Sequence, residues 1–141
     1  MLSWLALPLV AAALAQGASF TTVVKGDASN QLTGRQVAIR TMAEWQALWK
    51  DHAPAEKMPA VDFNSRMVVG VFLGSKPSTG YQVEIVGVQT EGGTLLVNYL
   101  ERQPARGMLS AQILTEPFHL VAVPRHGGPV KFNRIEAATK P

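Results

Sequence analysis

The 141-residue chain has no cysteine, so no disulfide can staple it, no lipobox thiol can acylate it, and its stability has to come from a packed core. Charge is also sparse. Charged side chains make up 16% of residues, with thirteen Lys and Arg against ten Asp and Glu. They are scattered and form no stripe, which excludes the electrostatic footprint of a nucleic-acid binder. No Asn-x-Ser/Thr sequon occurs, and neither do GxSxG, SxxK, HExxH or a Walker-type phosphate loop, so the local signatures of serine hydrolases, zinc peptidases and nucleotide sites are missing. The three histidines, His52, His119 and His126, lie far apart with no cysteine to complete a ligand set. No metal and no other cofactor is expected. The carboxylates Asp62, Glu84, Glu101 and Glu116 are too dispersed to suggest an acid and base pair.

What is abundant is apolar: 47% of residues are hydrophobic, enough for one ordinary core. The first fifteen residues, MLSWLALPLVAAALA, carry no charged side chain and end on small residues at Ala13 and Ala15. They read as a secretory signal cleaved after Ala15, being shorter than the roughly 20 apolar residues that span a bilayer. The expected organisation is a signal peptide over 1–15 and a single β-rich domain over 16–141. That domain would be secreted or periplasmic and free of the membrane after cleavage. The missing cysteines suit a bacterial envelope protein.

Along the mature chain, SFTTVVK at 19–25 and RQVAIRT at 35–41 are strand-like, separated by the polar turn-rich GDASNQLTG. At Thr41 the period changes. Thr41 and Glu44 form a capping box, and Trp45, Leu48 and Trp49 then fall on one face of a short helix that should dock on a sheet. Residues 52–65, with three prolines, form a long connection. MVVGVFL at 67–73 is apolar on both faces, as in a central strand, with Gly70 permitting a close approach. Tyr81–Thr90 and Thr94–Arg102 flank an EGG turn as a hairpin, FHLVAVP at 118–124 is a further strand, and a last short one follows. The fold class is α+β, mainly antiparallel: a sheet or sandwich of about seven strands with one short helix packed on it.

Between the central strand and the hairpin lies Lys76-Pro77-Ser78-Thr79-Gly80-Tyr81. Pro77 fixes its own φ and restricts Lys76, Ser78 and Thr79 can bond their own backbone, and Gly80 can take a positive φ. A loop so pre-shaped suits docking to a protein, because little entropy remains to be lost. It equally suits a plain corner. Ser78 is read as an exposed turn serine with no base beside it, so a hydrolase is disfavoured and the chain is not expected to be an enzyme.

The order of motifs resembles the PrcB-type family of protease-complex subunits. The resemblance is carried by EWQALW at 44–49, VDF at 61–63, MVVGVFLG at 67–74, KPSTGYQVEI at 76–85 and TEPFHLVAVP at 115–124. The family's loop is closer to KPTGGY; Lys76, Pro77, Gly80 and Tyr81 match, and Thr79 replaces a glycine. This resemblance implies a non-catalytic binding or assembly role toward another extracytoplasmic protein, with a secreted or surface protease as the candidate. Lys76, Pro77, Ser78, Thr79, Gly80 and Tyr81 would be the contact residues, assisted by the turns at 91–93 and 103–107. A second likeness, confined to Pro77–Tyr81, is to chagasin-type inhibitors of papain-like proteases. It implies the alternative of an inhibitor using the same loop. A structural envelope protein is the third reading.

Overall fold

The structure, a computed structural model, describes residues 16–107 and 109–136; the expected signal segment lies outside them. In chain order the elements are β1 (Gln16–Ala18), β2 (Thr21–Gly26), β3 (Arg35–Ile39), α1 (Met42–His52), β4 (Arg66–Phe72), β5 (Gln82–Glu91), β6 (Thr94–Arg102), β7 (Phe118–Pro124) and β8 (Val130–Arg134). They form two four-stranded sheets, ordered β1-β5-β6-β8 and β2-β7-β4-β3. Every pairing is antiparallel except that of β6 with β8. The α+β, mainly antiparallel class is therefore what the chain adopts, with eight strands where about seven were expected. The additional one, β1, has only three residues. Among the described residues no helix is long and apolar enough to cross a membrane.

Three layers follow from two strands that are apolar on both sides. On β4, Met67, Val69 and Val71 pack with Val121 and Val123 of β7 against Val83, Ile85, Val88, Leu95, Val97 and Tyr99 of the other sheet. The alternate residues Val68 and Phe72, with Phe118 and Leu120, face α1 and pack on Trp45, Leu48 and Trp49. Gly70 sits where these strands touch: a Cβ there would overlap the Leu120 side chain and press on Val37. A larger residue would have to push β7 or β3 away.

The helix begins where the capping box places it. Thr41 Oγ1 accepts the Glu44 N–H at 3.2 Å, and Glu44 Oε1 accepts the Arg40 N–H at 3.4 Å. Its tryptophans are buried, and their indole N–H groups donate to Pro59 O and Glu56 O. In this way the proline-rich connection is tied down without secondary structure of its own. His52 is the last helical residue and is buried. Burial lowers its pKa, with the Glu56 carboxylate opposing.

A second histidine joins the sheets. The β5–β6 register shifts between Ile85 and Gly87, and such a bulge leaves local ladder groups needing other partners. The Ile85 N–H donates to Nδ1 of buried His119 at 2.9 Å. With Nδ1 accepting, the ring proton sits on Nε2, which contacts Thr22 Oγ1 on β2 at 2.8 Å. One neutral imidazole thus connects β5, β7 and β2. Desolvation, then Lys25, push its pKa down to about 4, while Glu84 opposes. Between that value and the unfolded 6.5 the unfolded chain binds more protons, so stability is complete above about pH 6.5 and drains as pH falls toward 4. Urea unfolding at pH 7 and pH 4.5 should show a loss on the order of 2–3 kcal/mol. His119→Asn, which keeps an acceptor but does not titrate, should flatten the slope between pH 6.5 and 5.

Candidate functional site

Strand directions gather three long connections at one end of the sandwich: 27–34 after β2, 73–81 after β4, and 103–117 after β6. The EGG turn at 91–93 belongs to the opposite end. It is separated from Gln82 by the length of β5, about 30 Å at roughly 3.4 Å per residue. The expectation that 91–93 neighbours the 76–81 loop is therefore overturned, because hairpin geometry sends the two ends of β5 apart. The 103–107 turn does stand beside the loop. Gly80 has φ of 95°, and a Cβ there would lie 3.0 Å from Pro104 Cγ. Glycine at this position meets both a backbone and a packing requirement.

The loop is fastened from several sides. Lys76 and Thr115 exchange backbone hydrogen bonds of 2.7 and 3.0 Å. The Thr79 N–H donates to Ala111 O at 3.0 Å, and the Ala111 N–H returns a bond of 2.9 Å to Thr79 Oγ1. Thr115 Oγ1 donates to Ser78 O at 2.9 Å. On the other flank the Ser75 N–H donates to Leu32 O, and the Glu116 N–H to Asp27 O. These bonds weave the three connections into one surface.

Ser78 is not the exposed turn serine expected from its neighbours: it is 6% exposed, and its hydroxyl donates to Thr79 O. Each imidazole is engaged elsewhere, His52 with Ser29, His119 with Ile85 and Thr22, and His126 with Gly93 O at the far end. Among the described residues no three His, Asp or Glu side chains converge. Pro77 and Gly80 are exposed, Lys76, Thr79 and Tyr81 half-buried, and the Lys76 ammonium lies 5.7 Å from the Tyr81 ring centroid. A cation over an aromatic face at this distance holds both side chains in place.

The surface has relief. Gly80 and Gln82 form a ridge between a cleft of about 220 Å³ bounded by Lys25, Asp27 and Tyr81 and one of about 400 Å³ bounded by Arg102, Pro104 and Leu109. Leu109 borders the larger cleft, and the connections of the same end carry Leu32, Ile113 and Leu114; these are four of the six large hydrophobic side chains left exposed among the described residues. Sequence reasoning missed these leucines and the isoleucine. The only available signal was an apolar content in the Gln103–Glu116 connection that no strand or helix period claims.

This loop pair and its ridge lie inside residues 67–124, which match the family model described as PrcB C-terminal. Over this segment the chain is similar to the PrcB C-terminal family. The PrcB-type segment spans β4 to β7, and so contains both two-faced strands, the 76–81 loop and the whole 103–117 connection. No curated protein and no solved structure matches the chain.

The geometry separates residues that hold this surface from residues that it offers. Thr115→Val strands the buried Ser78 carbonyl and should cost about 1–3 kcal/mol in urea unfolding. Leu114→Ser, at a position 70% exposed, should stay within about 0.5 kcal/mol of the parent.

Proposed function

We propose that the chain is an exported, non-catalytic subunit that docks on a protein of a protease complex, stabilising or assembling the protease. The observation that carries this reading is the PrcB-type match over 67–124, whose segment presents the fastened loop at 76–81 and the exposed Leu109, Ile113 and Leu114. A signal peptide over 1–15, cleaved after Ala15, would deliver a single domain over 16–141 to the periplasm or exterior. Lys76, Pro77, Thr79, Gly80 and Tyr81 would shape the contact, with Ser78 beneath them holding the turn. Apolar anchors set in a rigid frame are the pattern that concentrates binding energy in protein interfaces. The neutral, loop-borne character of this end fits a protein partner better than a polyanion.

The inhibitor reading keeps one specific support, a narrow ridge with a cleft on either side, which could enter another protein's groove. The two readings make opposite demands on a protease. Full-length chain carrying a C-terminal tag, expressed in its native host and crosslinked before capture, should recover a protease or a subunit bound to one. A Leu109→Ser, Leu114→Ser double variant that is equally stable should recover at least tenfold less. In the same preparation the purified chain should lengthen the protease's half-life without lowering its turnover. Turnover lost at stoichiometric addition would establish the inhibitor instead, and identical capture profiles for parent and double variant would refute docking at this end. The captured chain should have the mass of a product starting at Gln16; retention of Met1–Ala15 would overturn the cleavage.

A further inference from the structure

At the C-terminal end of α1 the His52 ring is 1% exposed, with its centroid 4.3 Å from that of Phe118 and 5.5 Å from that of Phe72. Its Nδ1 lies 2.7 Å from Ser29 Oγ, itself buried in the 27–34 connection. Ser29 Oγ also accepts the Gln31 N–H at 3.0 Å. The His52 carbonyl accepts the Asn30 N–H at 2.8 Å. Two bonds therefore hold this connection to the helix end, and one of them runs to the buried imidazole. The connection in turn props the 73–81 segment, because Leu32 O accepts the Ser75 N–H.

We propose that His52 and Ser29 form an acid-released latch, in which a solvent proton taken up by the buried ring frees the 27–34 connection from α1 while the two sheets stay folded. The imidazolium is poorly solvated between two phenylalanines, whereas with the connection open the ring reaches water. The groups that face the ring support the assignment. From β4 comes Phe72, from β7 Phe118, from the 27–34 connection Ser29 and from α1 Trp49, none of them charged. The Glu56 carboxylate beyond the helix is the charge that acts on it. Burial outweighs that carboxylate and holds the ring below the ordinary histidine range. With the connection open and the ring in water, its pKa returns toward roughly 6.5. Below that value the ratio of open to closed latch can rise by about tenfold per pH unit, until the closed form itself protonates. Since 27–34 carries Leu32 and supports the ridge, acid would also loosen the docking end; that consequence, unlike the latch, rests on the docking reading.

Residue-resolved hydrogen exchange on the full chain tests the latch without a partner, so failed docking leaves it untouched and a failed latch leaves docking standing. Between pH 7 and pH 5, protection factors at Asn30 and Gln31, corrected for intrinsic rates, should fall at least tenfold while staying below those at Val69 and Leu120. In His52→Asn the loss at Asn30 and Gln31 should shrink to within twofold. Protection at Asn30 and Gln31 equal to that at Val69 and Leu120 at pH 5, or an undiminished loss in His52→Asn, would overturn the proposal. Should His52→Asn fail to fold, the ring-proton resonance of His52 in the parent chain decides the matter. A midpoint coincident with the loss at Asn30 and Gln31 supports the latch, and a distinct midpoint refutes it.

Discussion

Everything else in this molecule depends on β4 and β7 being apolar on both faces. A strand that buries only one face can end a protein; a strand that buries two requires a layer on each side. Met67, Val69 and Val71 call for the second sheet, while Val68 and Phe72 call for the helix. Gly70, in the middle, lets Leu120 lie close enough for both layers to be filled. The helix is short and only modestly amphipathic, and it would be marginal alone. Its two tryptophans stay in place because β4 and β7 offer them an apolar floor, and because the proline-rich connection supplies carbonyls to their indoles.

Polar groups enter this core only where backbone geometry demands them. The β5 bulge turns an amide inward, and His119 accepts it. The end of α1 meets the 27–34 connection, and His52 with Ser29 bridges the join. Among the described residues no buried side-chain nitrogen or oxygen lacks a partner, as buried polar groups require. Both imidazoles serve in the neutral form, so the same bonds that complete the structure at neutral pH become its acid-sensitive joints. His119 sits between the sheets and couples acid to the whole fold. His52 sits beside one connection and couples acid first to that.

Much of the fold was legible in the chain because its signals are local. The capping box at Thr41 and Glu44, the tryptophan spacing and the EGG hairpin turn each involve a few consecutive residues, and the elements fall within one or two positions of where the pattern puts them. What could not be read is non-local. Nothing in QGA at 16–18 distinguishes a three-residue strand from a linker; it is a strand because the outer edge of β5 is there to pair with. The parallel pairing of β8 with β6 and the partition into two sheets are likewise tertiary facts. At the site, the turn chemistry of 76–81 was visible, but its burial of Ser78 and its separation from 91–93 were not. Both are set by the partner segment at 109–116 and by the length of β5.

That partner segment changes what the loop means. A turn shaped by Pro77 and Gly80 alone would be a corner, held by its own torsions. Here the backbone of 76–79 is bonded at Lys76, Ser78 and Thr79 to Ala111 and Thr115, so the stabilising contacts run through main chain and short hydroxyls. The long apolar side chains of the neighbouring connections are left unused by the fold. A stable frame made from backbone, with leucines and isoleucine standing outside it, divides the labour of folding from that of contact. Exposing these side chains gives up apolar burial that a fold with no partner could have collected, at roughly 25 cal/mol per Å². Their gathering at one end of the sandwich, within the PrcB-type segment or on the connection bonded to it, is the arrangement expected if another protein covers them.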